Sequence, residues 1–275
     1  MALESCEELV RRHDCDRYLA ALFAPGAVRP YLHALYAFNY EIARIAESVH
    51  EPMMAEIRRQ WWREAVDEAA QGRPRRHDVA EALAELFAHT DADPARFIAL
   101  IDARAKDDSA EQFADMAELE AYADATAGEV MRIGARILGT GDSLDPLSRA
   151  AGIAYGLTGV MRAIPYRAAR AKLDLPADLM TQLDLSRERM LAGDGGRALA
   201  QALHTLGERA LRHLDAARAF QIERDALPAV LPTALCELYL RRMLRRGFEP
   251  FRHSTQYAQW RRQLILLAGA LRARI

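Results

Sequence analysis

Carboxylates and guanidinium groups at helical spacing are the residues of this sequence best placed to do chemistry. Glu41 and Glu47 sit six apart in a run of apolar residues, and Arg162, Arg167 and Arg170 crowd the end of another. Three guanidinium groups on one helix end could grip a diphosphate directly, without a metal. The competing use is a solvated or ion-paired helix end. His13-Asp14-Cys15-Asp16 gathers metal-ligating types, but its spacing fits no structural zinc pattern. The eight histidines include no HxxxH or HExxH arrangement, so a catalytic zinc is unsupported. Gly152, Gly156, Gly159 and Ala163 form a stripe of small residues at helical spacing. Such a stripe either lines a hollow or lets two helices pack closely. Arg241, Arg242, Arg245 and Arg246 make a local basic strip, read as a solvated face or as one suited to an acidic partner or anionic lipid.

The elements that must position these groups read as helices. Leu35, Phe38, Ile42, Ile45 and Val49 step by three and four, as do Tyr257, Trp260, Leu264, Leu267 and Leu271. Helices are expected over 57–70, 79–87, 95–103, 119–138, 147–164, 199–220 and up to Arg246. Gly139 should supply a left-handed cap and Pro165 should limit the helix before it. No alternating β-branched stretch stands out among 275 residues that are 51% hydrophobic and contain 15 glycines and 11 prolines. An all-α fold follows, with one domain over 1–275, since no linker or repeat divides the chain.

Composition narrows the function classes. The net charge of −2 gives no global basic field for nucleic acid. All but two of the 37 basic side chains are arginine, the exceptions being Lys106 and Lys172. Cys6, Cys15 and Cys236 are odd in number and form no CxxC pair, which suits reduced thiols. The acidic N-terminus resembles neither a signal nor a transit peptide. The apolar run 264–271 is too short to span a bilayer. These features suggest a soluble, cytoplasmic protein, with peripheral contact at the inner membrane left open.

Two segments carry a resemblance. Residues 34–47, ALYAFNYEIARIAE, and 156–167, GLTGVMRAIPYR, followed by Leu175-Pro176, resemble the two signatures of the squalene/phytoene synthase family. Trp61-Trp62-Arg63-Glu64, His77-Asp78-Val79 and Tyr122 with Thr126-Ala127-Gly128 resemble pieces between them. The resemblance implies an isoprenoid synthase helical bundle around a central cavity. Family enzymes join two prenyl diphosphates head to head, and magnesium held by paired aspartates neutralises the departing pyrophosphate. Here those aspartate positions fall on Ala43, Glu47, Ala163 and Arg167, so one carboxylate remains and one position reverses charge. The resemblance therefore implies no cofactor, with Mg2+ expected only if a prenyltransferase activity survives. It also makes Tyr18, Arg29, Glu47, Arg162 and Arg167 candidate ligand or diphosphate contacts.

The FNxE and RAxPY pieces, Phe38 to Glu41 and Arg162 to Tyr166, resemble mitochondrial complex I assembly factors of the same superfamily. That implies a role in assembling respiratory NADH dehydrogenase, through complex I subunits or other assembly proteins, or through an isoprenoid. The alternatives are a working prenyltransferase and a protein that binds an isoprenoid without turnover.

Overall fold

The computed structural model describes residues 1–49, 51–109 and 111–275. Among them the only regular elements are helices. The first set is α1 (Ala2–His13), α2 (Cys15–Ala21), α3 (Arg29–Ala43), α4 (Ile45–Ser48), α5 (Pro52–Ala70), α6 (Asp78–His89) and α7 (Pro94–Ala103). Then come α8 (Met116–Ala123), α9 (Glu129–Ile137), α10 (Asp145–Ala168), α11 (Ala177–Gln182) and α12 (Arg187–Leu191). The chain closes with α13 (Gly196–Arg218), α14 (Leu227–Val230), α15 (Cys236–Met243) and α16 (Gln259–Arg272).

Local chemistry sets many of the starts. Pro52 and Pro94 occupy first helical positions, where the missing N–H costs nothing. Asp93 accepts from the Ala95 amide at 2.9 Å, and Asp115 accepts from the Glu118 amide at 2.9 Å. Gly139, the left-handed cap read from the sequence, follows α9 with φ +79°, whereas Gly247, φ +80°, lies in a turn beyond the end of α15.

Two apolar clusters hold the bundle. One gathers the inner faces of α1, α3, α5, α6 and α7 around Leu35, Phe38, Trp62, Leu83 and Phe97. The other packs α10 along α13, with Leu157, Met161, Leu203, Leu206 and Leu240 inside. Trp62 is in the core and edges onto Phe38, while Trp61 lies half-exposed under Arg75. All three cysteines are free thiols, and burial pushes Cys6 up to about 12.

Several expectations change. The stripe from Leu35 to Val49 is split between α3 and α4 at Arg44. The helix expected to run to Arg246 is broken by a 3-10 turn and ends at Met243. The segment 119–138 is not one helix: a π-type turn at Asp124–Gly128 separates α8 from α9. Pro165 does not end α10, which runs on to Ala168. The proline is close to the helix end, so little is lost beyond one hydrogen bond to Met161. The final turn is fastened from outside by the Arg167–Asp174 pair described below.

Tyr18, a ligand candidate, stacks on His33 with ring centroids 5.6 Å apart. His33 is buried, and desolvation lowers its pKa. The unfolded chain takes up a proton there more readily than the folded one. This site's contribution is therefore fully present above the ordinary histidine range and falls as the pH drops through it. Melting temperature should fall less between pH 7.5 and 5.5 for His33→Phe than for the unaltered chain, a difference read by calorimetry.

Candidate active-site cavity

The small-residue stripe of α10 divides along its length. A Cβ on Gly152 would lie 2.2 Å from Gly128 Cα, so there the two backbones touch. A Cβ on Gly156 would meet the Ala123 Cβ at 2.7 Å. A Cβ on Gly159 would meet nothing within 4 Å, because the helix has left its neighbour and borders a hollow. Both readings of the stripe hold, each at its own end.

That hollow has a volume of about 250 Å³. Ala43, Glu47, Ala163 and Arg167 all line it, together with Gly156 and Gly159. The four positions read as degenerate from the sequence thus face one cavity. Its far wall comes from the 3-10 turn Arg104–Asp107, from Tyr122 and from Thr126 and Ala127 of the π-type turn. Thr126 donates back to the Tyr122 carbonyl at 2.7 Å, satisfying its hydroxyl within its own helix.

The sequence reading missed the acids in this wall. Asp107 and Asp174 line the cavity, and both are taken by cations. The Arg167 guanidinium donates from Nε and Nη2 to the two Asp174 oxygens, each at 2.7 Å. This is a bidentate fork, and Nη2 also reaches the Asp107 carbonyl at 3.3 Å. Tyr122 donates a short bond to Asp107, and Arg104 lies 3.3 Å from the same carboxylate. Arg104 is oriented by Asn39, which accepts its Nη2 at 3.1 Å. Lys106 pairs with Glu118 at 2.7 Å. Lys172 donates to the Asp107 carbonyl at 2.5 Å, and burial followed by the nearby Arg167 lowers its pKa. Burial, first, and the Asp107 carboxylate, second, raise the Tyr122 phenol beyond the ordinary tyrosine range. Arg17 sits inward, paired with Asp14 at 2.7 Å and set 4.9 Å from the Tyr155 ring. The cavity is therefore lined by charges that largely satisfy one another.

Such a donor set does not suit magnesium. A hard divalent cation needs free carboxylate oxygens converging on one point. Here Asp174 is occupied by Arg167, Asp107 by Tyr122 and Arg104, and Glu47 sits exposed at the mouth beside Tyr166. Among the described residues no three or more His, Cys, Asp or Glu side chains converge as a metal site would require.

Other candidates lie away from the cavity. Arg162 is not beside Arg167: its guanidinium stacks on Tyr239 at 3.8 Å and pairs with Asp16 at 3.5 Å. Asp16 is buried and also accepts from Tyr239 at 2.7 Å and Arg262 at 2.8 Å, tying α2, α10, α15 and α16 together. Within the His13–Asp16 run, then, Asp16 is a structural anchor and Asp14 caps α2. Arg29 donates to the Leu22 and Ala24 carbonyls at 3.1 and 3.0 Å, clamping the loop after α2. Arg170 lies over Tyr166 on the surface.

The squalene/phytoene synthase family matches residues 10–263. The chain belongs to that family. A dehydrosqualene synthase crystal structure superposes with TM-score 0.84 at 16% identity, covering 99% of this chain and 97% of that one. The isoprenoid synthase helical fold is thereby shown. Within the family, the chain is 31% identical to the NADH dehydrogenase (ubiquinone) complex I assembly factor 6 of Mus musculus, over 91% of this chain and 76% of the relative. It is also 30% identical to the presqualene diphosphate synthase of Rhodopseudomonas palustris (strain ATCC BAA-98 / CGA009), over 92% of each.

Proposed function

We propose that this family member supports assembly of respiratory NADH dehydrogenase by binding, without acting as a magnesium-dependent prenyltransferase. The observation that carries this reading is the Arg167–Asp174 fork. It stands where the family resemblance places a metal-binding aspartate, and it consumes a second carboxylate of the same wall. Substitution alone would leave a weakened metal site; here Asp174 and Asp107 are committed to other partners, and Glu47 stands apart, exposed at the mouth. The similarity to complex I assembly factor 6 supplies the process.

The size of the hollow favours a protein partner over an engulfed isoprenoid. About 250 Å³ lies below the range of roughly 300–1,000 Å³ usual for small-molecule pockets. The partner would be a subunit or assembly protein of the NADH dehydrogenase, met at the inner membrane by a protein peripheral to it. No described helix is long and apolar enough to cross a membrane.

Deletion in the native host is expected to deplete assembled NADH dehydrogenase, seen by native gel and NADH oxidation in isolated membranes, with recovery on re-expression. Unchanged levels would sink the proposal.

The similarity to presqualene diphosphate synthase favours a second reading, a surviving prenyltransferase. Incubation with farnesyl diphosphate and magnesium separates the two. Pyrophosphate release with a C30 product would establish the enzyme; unchanged substrate is the expected result.

A further inference from the structure

Helix α16 carries its apolar stripe on the outside. Arg262, Leu266 and Gly269 turn inward: Arg262 grips buried Asp16 at 2.8 Å, and Leu266 is fully buried. The opposite face presents Trp260 (56% exposed), Leu264 (56%), Leu267 (44%) and Leu271 (70%). At 100° per residue these four fall within a narrow arc of the helix, so they form one stripe along it. Leu22 and Phe23, also exposed, extend the stripe sideways across a shallow groove of about 410 Å³. The Arg29 clamp holds the loop on which they stand. Large apolar residues gathered this way on a surface mark an interaction site.

Charge says what covers it. From Cys236 onward the sequence has nine arginines against two glutamates, although the whole chain is net −2. Arg261 and Arg272 flank the apolar stripe and are exposed. Together with Arg245, Arg246 and Arg274, they have no acidic partner among the described residues. Arg261 lies 5.2 Å from the Trp260 ring, the pairing of an aromatic ring with a cation that suits a headgroup layer. An apolar face edged by unneutralised arginines matches an anionic bilayer, with side chains in the acyl boundary and guanidinium groups among phosphates. A second copy of the chain would bring the same uncompensated arginines together. At 14 residues the helix can lie on a membrane and cannot span one.

Resting on the peripheral location read above, we propose that the outer face of α16, with Leu22 and Phe23, is a docking surface for anionic lipid bilayer. The occupant is the membrane itself, held by insertion of Trp260, Leu264, Leu267 and Leu271 and by arginine contact with phosphate headgroups.

The test is partition of the purified full chain onto vesicles. It should sediment with phosphatidylcholine vesicles containing about 30% phosphatidylglycerol, and weakly with phosphatidylcholine alone. Trp260 emission should shift to shorter wavelength on binding. Raising salt should weaken partition, because the arginine contribution is screened. Leu264→Glu/Leu267→Glu should lower partition by about tenfold or more while circular dichroism stays unchanged, since both side chains face solvent. Equal partition of that variant would overturn the proposal. So would the absence of both sedimentation and emission shift in the unaltered chain, whatever the variant does. A lipid-free dimer dissolved by the substitutions, with no vesicle binding, would overturn it in favour of self-association. The readout needs only purified protein and lipid, so it can fail while the deletion phenotype holds, or hold while that phenotype fails.

Discussion

Gly152→Ala is expected to lower the melting temperature by roughly 6–12 °C, the counterpart of about 3 kcal/mol for a chain of this size. The added methyl would lie 2.2 Å from Gly128 Cα and 2.4 Å from its amide nitrogen. Neither is the end of a side chain that can rotate away. Relief requires α10 to move off the π-type turn, which also loosens Leu157 and Met161 from the core beyond. Overpacking of this kind costs about 1–3 kcal/mol, and more where backbone is the obstacle. Alanine's better helix propensity returns up to about 1 kcal/mol, which the clash outweighs. Gly159→Ala, two turns along the same stripe, should do the reverse. Its methyl meets nothing within 4 Å, so the propensity gain stands alone and stability should rise by up to about 1 kcal/mol. Thermal melts of the two variants side by side give the check. A rise for both, or a loss for both, would mean that the stripe has one role along its length.

The difference between those glycines shows where sequence reading runs out. Period alone puts Gly152, Gly156 and Gly159 on one face of one helix, and does so correctly. It does not say that the facing chain leaves α10 between Gly156 and Gly159, because that depends on the π-type turn 30 residues away in sequence. The cavity followed the same pattern. Ala43, Glu47, Ala163 and Arg167 could be placed in one hollow from their positions in two motifs, although Ala43 and Glu47 fall on separate helices, α3 and α4. Asp107 and Asp174 could not, since Asp107 belongs to no motif, Asp174 only borders the Leu175-Pro176 piece of one, and each is drawn in by a cation that had to be located first. Arg162 looked equivalent to Arg167 in sequence. A step of five residues turns it by 500°, or 140° beyond a full turn, so it leaves the cavity for buried Asp16. For α16, spacing established an apolar stripe and was silent about which side the core would take. The core went to Arg262, Leu266 and Gly269, because Asp16 is buried and needs a cation. Pro165 misled for a local reason: three residues from the helix end it costs one hydrogen bond, and the Arg167–Asp174 fork fastens the last turn.

Arg167→Asp is expected to be among the most damaging single substitutions in this chain, and Asp174→Arg on the same molecule should undo much of the damage. The Arg167 and Asp174 side chains are 16% and 19% exposed, so their fork is mostly shielded from solvent. Removing one partner of a fully buried pair costs about 3–5 kcal/mol, and partial exposure brings Arg167→Ala to about 2–3 kcal/mol. Arg167→Asp adds repulsion between two carboxylates and strips the Asp107 carbonyl of a donor, raising the loss to about 3–5 kcal/mol. Lys172, which reaches the same carbonyl, limits the loss at that point. In the swapped pair an arginine again faces a carboxylate across the same gap, and recovery of at least about half the loss is expected by thermal melting. The swap also separates two roles that stability cannot tell apart. If Arg167 serves to lock the end of α10, the swapped chain should restore NADH dehydrogenase in the deletion strain nearly as well as the unaltered one. If Arg167 instead presents its charge to an anionic ligand, moving that charge to position 174 should restore folding without restoring the complex. The bidentate geometry predicts the first result, because both forked nitrogens are already engaged by Asp174 and Nη2 reaches the Asp107 carbonyl as well.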